Sequence, residues 1–165
     1  MKYFNTSTLT VSLFLLTVAT LITACSNPAS SGEEHEHTEP EGLQLVMNGE
    51  TIIEFFDGQV TGNLTLTEGE ETSLITVEFL NEEREHIHAE DLDEGYSLGW
   101  NIQNQDVIEI EQHDEDGRWS FHIIAKSAGE STIQLQLMHG DHSDLETPSV
   151  DKQGAIQVKV NAPPA

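Results

Sequence analysis

Histidine and acidic side chains are concentrated in a few short segments of this 165-residue chain. Imidazole is the commonest protein ligand for zinc, copper and nickel, and two histidines two or three positions apart can reach one ion. Such pairs occur in the segments HEH, HIH and HGDH, and one further histidine opens the segment HDEDG. These segments predict a site for zinc or a similar divalent ion, and its candidate ligands are His86, His88, His113, His139 and His142, with His35 and His37 as a weaker pair.

Acids beside these histidines could complete such a site. Asp141 lies between His139 and His142, and Glu90 or Asp91 follows His88. A carboxylate in these places can bind the ion or accept a hydrogen bond that orients a histidine ring. The eighth histidine, His122, lies in mid-strand on the face opposite its apolar neighbours, and we expect it to be an exposed strand residue.

Other interpretations of the same segments stay open. Acidic loops that contain histidine are commonly solvated surface, and a disordered pair such as HEH can gather metal loosely or do nothing. The DEDG segment at 114–117 resembles a fragment of a calcium loop, but it lacks the full ligand pattern. The sequence contains no nucleophile elbow and no phosphate-binding glycine loop, so we expect a protein that is not an enzyme.

Short alternating segments must position these residues. From residue 43 onward, apolar and polar residues alternate between turn signals, and no apolar stripe at helical spacing is longer than one turn. The predicted strands are Leu43 to Met47, Thr51 to Phe56, Leu64 to Leu66, Ile75 to Phe79, Tyr96 to Ile102, Ile108 to Ile110, Trp119 to Ile123, Ile133 to Leu137 and Ile156 to Val160. The turns Asn48-Gly49 and Asp57-Gly58 are typical of tight hairpins. The pattern predicts an all-β fold, an antiparallel β-sandwich over 43–161.

Strand direction makes a further prediction about the histidines. If consecutive strands are antiparallel, connections alternate between the two ends of the sandwich. The segments that contain His86, His113 and His139 should then lie toward one end, together with the start of the domain. The loops 68–72, 103–106 and 126–130, which contain no histidine, should meet at the other end.

One stretch resembles a known family of sandwiches. Trp100 in its strand, the strand 107–110, the turn Asp116-Gly117 and the segment AGESTI at 128–133 follow one another in the order found in bacterial immunoglobulin-like domains of the group 2 kind. The resemblance covers roughly 64–138 and implies an immunoglobulin-like fold. The chain departs from the family pattern in its acidic insert at 81–95 and in the segment after Met138.

The N-terminus predicts export. Lys2 precedes an apolar run, 9–22, that has the length of a signal-peptide core and is short for a membrane span. The run ends in Ile22-Thr23-Ala24-Cys25, which resembles a bacterial lipobox, and Cys25 is the one cysteine of the chain. The resemblance implies removal of 1–24 and attachment of lipid to Cys25, which would anchor the protein in the cell envelope, at the outer membrane in a Gram-negative host. A secretory signal that lies beside a free cysteine is the alternative.

Composition predicts the segments that flank the sandwich and the class of partner. The polar, acidic residues 25–42 read as a lipidated flexible linker and 162–165 as a disordered tail. Loss of 1–24 removes one lysine and no acid, so the formal net charge would change from -24 to -25. Such a charge repels phosphate backbones, so we expect no nucleic-acid partner. The expected partner is the membrane, through the lipid.

Two functions agree with these features. The first is a membrane-anchored lipoprotein that captures, buffers or delivers a divalent transition metal, with a metal transporter or receptor as its partner. The alternative is a structural or adhesive surface lipoprotein whose immunoglobulin-like domain contacts a protein or a glycan and holds no metal.

Overall fold

The computed structural model describes residues 39–88, 91–92 and 95–165. The signal peptide, Cys25, the histidine pair at 35 and 37, and Glu90 lie outside the described residues. The predictions that concern them therefore remain predictions.

The described residues form β-strands joined by turns and loops. The strands are β1 Gly42–Met47, β2 Glu50–Phe56, β3 Gln59–Gly62, β4 Leu64–Thr67, β5 Ile75–Leu80, β6 His86–Ile87, β7 Tyr96–Ile102, β8 Ile108–Glu111, β9 Ser120–Ala125, β10 Gly129–His139, β11 His142–Glu146 and β12 Ile156–Asn161. No helix among these residues is long and apolar enough to cross a membrane.

The strands pair into two sheets. The first has the order β3-β2-β1-β5-β9-β8, and β6 pairs with the end of β5. The second has the order β11-β10-β12-β4, and β7 pairs with β10. The pairings are antiparallel except that of β4 with β12, which is parallel. The predicted all-β fold of antiparallel sheets is confirmed.

The two hairpin turns predicted near the N-terminus are confirmed. Asn48 and Gly49 have φ of 55° and 79°, and Asp57 and Gly58 have φ of 54° and 75°. Positive φ at both central residues is the signature of a type I′ turn, whose twist matches that of the strands it joins. These turns fix the register of β1, β2 and β3.

A glycine lets the chain pass from the first sheet to the second. β3 ends at Gly62 and β4 begins two residues later in the other sheet. Gly62 has φ of 88°, and a Cβ placed on it would collide with the carbonyl oxygen of Ile52. Only glycine combines this backbone conformation with so close an approach.

The core lies between the two sheets and is made of the predicted alternating rows. Leu43, Phe121, Ile133, Leu135 and Leu137 are at most 1% exposed. Each such side chain contributes about 1.5–3 kcal/mol by leaving water. The apolar face predicted for β7 is half-buried, because β7 lies at an edge of its sheet.

Strand direction correctly predicts that the start of the domain and the strand end at His139 lie together, but His113 lies against His122, beside Thr72 of the 68–72 loop. At the end that we call the tether end, the backbone N–H of Glu41 donates to the carbonyl of Leu80, and Tyr96 lies opposite His139. At the opposite end, which we call the far end, the loops 68–72, 103–106 and 126–130 meet. There Lys126 N–H donates to the carbonyl of Val107, and Ala128 N–H donates to a carboxylate oxygen of Glu68.

Candidate metal sites

The tip of the β8–β9 hairpin brings two histidines and an aspartate together. In its register Glu111 lies opposite His122, so the 112–119 connection begins directly beside His122. The connection turns at Gly117, whose φ is 81°, and places His113 and Asp116 beside the His122 ring. The ligand atoms of these three residues all lie within 4.8 Å of one another.

Distances within this group, which we call the β8–β9 cluster, are those of a compact polar site. Asp116 Oδ2 lies 2.9 Å from His113 Nδ1 and 3.6 Å from His122 Nε2. The backbone N–H of His113 also donates to Asp116 Oδ2, at 3.1 Å. His113 Nε2 lies 3.5 Å from Glu111 Oε2, so a second carboxylate faces the other side of that ring.

The expectation that His122 is an exposed strand residue is wrong. Its side chain is 17% exposed, because residues 69–72 run along the edge of β9 and cover it. His122 Nδ1 lies 2.9 Å from the carbonyl oxygen of Thr72. A carbonyl oxygen only accepts, so His122 Nδ1 donates to Thr72, and Nε2 faces Asp116.

Charge and hydrogen bonding shift the pKa values of the turn residues. The hydrogen bond to Asp116 raises the pKa of His113 above its ordinary value; partial burial opposes this, and the charges of Asp116, Glu111 and Glu115 add to it. Partial burial acts to raise the pKa of Asp116. The hydrogen bonds from His113 and the nearby histidine charges outweigh it and hold the Asp116 pKa below its ordinary value.

These shifts predict a pH dependence for the metal-free protein. The raised pKa of His113 stabilises the fold below the ordinary histidine value of 6.5, and the contribution is lost as pH rises through the raised pKa. The lowered pKa of Asp116 stabilises the fold at pH values above 3.8, the ordinary pKa of an aspartate, and this contribution is lost as pH falls through the lowered pKa. We expect NMR titration in chelator to give His113 a raised pKa that falls in Asp116→Asn. Asp114→Asn is the control, and an unchanged His113 pKa in Asp116→Asn would contradict the assignment.

The tip of the β10–β11 hairpin forms a second group, the β10–β11 cluster. His139 and His142 lie opposite each other in the register, with ring centroids 5.6 Å apart. Asp144 Oδ1 lies 3.1 Å from His142 Nε2, and its Oδ2 lies 3.6 Å from His139 Nδ1. Tyr96 donates its hydroxyl to Asp144 at 2.8 Å and stacks on His139 with centroids 4.5 Å apart.

The remaining predicted ligands do not join either cluster. His86 Nδ1 lies 2.8 Å from Glu78 Oε2, and His88 and Asp141 are exposed. A groove of about 570 Å³ is lined by β5, by residues 86–88 and by residues 117–120. The structure thus brings His139 and His142 together, and it brings His113 to His122 rather than to the other predicted ligands.

Three of the clustered residues were not predicted from the sequence: Asp116, His122 and Asp144. His122 could have been found by assuming that β8 and β9 form a hairpin with a short connection. Pairing the two strands across that connection places His122 opposite Glu111, close to His113. Asp144 follows His142 by two positions, so in β11 it lies on the same face. Proximity of Asp116 to His122 depends on the shape of the turn, for which the sequence carries no signal beyond Asp116-Gly117.

Comparison with known proteins adds little to this picture. No protein-family model matches the chain, and no curated protein matches it. Among solved structures, the chain is similar to domains 1–6 of the surface layer protein SbsC, with 10% identity, a TM-score of 0.42, and coverage of 64% of this chain and 12% of that one. It is also similar to SbsC domains 4 and 5, with 12% identity, a TM-score of 0.39, and coverage of 70% and 53%. The chain therefore spans about an eighth and about half of the chains it matches.

Proposed function

We propose that this protein is a lipid-anchored envelope lipoprotein whose immunoglobulin-like sandwich serves as a structural or adhesive module at the cell surface. The observation that carries the proposal is the position of the first described residues in the fold: they lie at the tether end, where Glu41 pairs with Leu80. The lipobox would place lipid on Cys25, joined to this end by the predicted linker. A fully extended linker spans at most about 60 Å.

The far end would then be the part of the module that points away from the membrane. Its loops carry Glu68, Glu70 and Glu71 beside one lysine, Lys126. Among the described residues, the one large apolar side chain that is exposed is Leu74, at 38%. These features favour a polar contact, to a cationic protein surface or a glycan, over an apolar one. The proposal assigns the chain no catalytic activity.

Surface labelling of intact cells tests this proposal. One epitope tag is placed after Ala165, because β12 ends at the far end, where Glu68 N–H donates to the carbonyl of Asn161. A second tag is placed in the Asp57-Gly58 turn, at the tether end. We expect antibody to label both tags on intact cells, and energy transfer to a membrane dye to be weaker from the tag after Ala165. Labelling that requires opened cells would contradict surface display.

A second candidate function is capture of a divalent transition metal near the membrane, for delivery to a transporter or receptor. The β10–β11 cluster favours it, because His139, His142 and Asp144 converge at the tether end. Residues 39–41 line a groove of about 420 Å³ with Tyr96 and residues 143–145. A metal held there would lie beside residues 39–41 of the predicted linker.

A further inference from the structure

The β8–β9 cluster has the geometry of a metal site. A metal site at this position does not depend on the proposed surface role. Zinc binds histidine nitrogen and carboxylate oxygen at about 2.0–2.2 Å, so ligand atoms around one tetrahedral ion lie about 3.3 Å apart. The two contacts of Asp116 Oδ2, 2.9 Å to His113 and 3.6 Å to His122, bracket that separation. Small side-chain movements would therefore place one ion among the three residues.

Each histidine ring has an acceptor near it on the side away from the shared point. Thr72 accepts from His122 Nδ1 at 2.9 Å, which leaves Nε2 as the ligating nitrogen. Glu111 faces His113 Nε2 at 3.5 Å, which leaves Nδ1 toward Asp116. Metal-binding histidines almost always donate their other ring N–H to a carboxylate or a backbone carbonyl, and this partner fixes the tautomer and the ring orientation.

Burial distinguishes this cluster from the other one. The side chains of His122 and Asp116 are 17% and 14% exposed, against 69% and 28% for His142 and Asp144 in the β10–β11 cluster, whereas His113 and His139 are equally exposed, at 44%. A partly buried site loses less side-chain freedom when the ion binds, because packing already restricts its rings. The acids Glu71, Glu111 and Glu115 near the cluster add a negative potential that attracts a cation.

We propose that His113, Asp116 and His122 bind a divalent transition metal ion of the zinc class at the tip of the β8–β9 hairpin. Two imidazoles and one carboxylate suit such an ion, whereas calcium takes six or more oxygen ligands. The fourth position is open to water. The bound ion ties the turn to β9, so it fixes the conformation of residues 113–118.

Calorimetric titration with zinc tests the site on the full-length chain in detergent, first stripped with chelator. We expect the wild-type chain to bind zinc at this site, and we expect His122→Gln and Asp116→Asn each to lower the affinity at least 100-fold. Glu111→Gln acts through the orientation of His113 and is expected to lower it about 10-fold. Asp116 lies in the connecting turn rather than in a strand, so Asp116→Asn is informative even if His122→Gln unfolds the hairpin.

The matched control is the double variant His139→Gln/His142→Gln, which removes the other cluster and is expected to leave this site intact. Asp114→Asn, in the same turn but outside the cluster, is also expected to bind as the wild type does. Zinc binding that survives both His122→Gln and Asp116→Asn would overturn the proposal. Binding that is lost only in the double variant would overturn it too, and would support metal capture at the tether end. Neither result bears on the surface labelling.

Discussion

Replacing Cys25 with serine is expected to release the protein from the membrane. Two or three acyl chains on one cysteine anchor a protein stably, whereas a single myristoyl chain binds only marginally, because each buried CH₂ contributes about 0.8 kcal/mol. Serine has no thiol to carry the lipid, and the chain has no other cysteine. Detergent phase partition should therefore move essentially all of the protein from the detergent phase to the aqueous phase, and labelling with a palmitate analogue should disappear.

The control is the neighbouring substitution Ser26→Ala, which keeps the thiol and is expected to leave partition and labelling unchanged. Both Cys25→Ser and Ser26→Ala place a small residue near the cleavage point. A difference in partition between these two variants therefore reports the loss of the thiol. A wild-type chain that partitions into water without palmitate label would contradict the lipid anchor. That result would favour an ordinary secretory signal beside a free cysteine.

The sequence predicts those parts of the fold that depend on local chemistry. The Asn48-Gly49 and Asp57-Gly58 turns follow from the residues that tolerate positive φ, and the structure has both. The inward row of β10 follows from strict alternation, because a side-chain period of two places Ile133, Leu135 and Leu137 on one face. These side chains are fully buried.

Strands that owe their existence to pairing rather than to burial were missed. β3, β6 and β11 are absent from the predicted strands, and each is short or has few buried side chains. β6 has two residues, and it exists because Ile87 pairs with Phe79 and His86 with Leu80. A strand of two residues is too short to show the alternation of apolar and polar residues from which strands are predicted.

The composition of the candidate sites was only partly predictable, because it depends on register and on distant segments. The histidines of the β10–β11 cluster follow from a hairpin whose two strands are adjacent in sequence. His122 was misjudged because its covering segment, residues 69–72, lies about fifty positions earlier. Strand alternation shows which face a side chain lies on, but it does not show what covers that face.

Replacing Phe121 with alanine is expected to cause the largest loss of stability of any change proposed for the sandwich. Phe121 is 0% exposed, lies opposite Ile75 in the register, and has its ring centroid 6.4 Å from that of Trp100 in the other sheet. Removal of such a ring costs about 3–5 kcal/mol, from lost burial and the cavity that remains. The total free energy of unfolding of a domain is about 5–15 kcal/mol, so Phe121→Ala would remove much of the stability.

Urea unfolding in chelator measures this loss without a contribution from bound metal. Leu74→Ala is the control, because Leu74 is 38% exposed beside the buried Ile75 and its truncation should change the free energy of unfolding by about 0.5 kcal/mol or less. A loss below about 1 kcal/mol in Phe121→Ala would mean that the sheets do not pack through Phe121 and Trp100. The β8–β9 cluster depends on the same packing, because Phe121 precedes His122 and fixes which face of β9 carries the histidine. A shifted β9 would therefore contradict the sandwich and the metal site together, whereas a large loss supports the register on which both depend.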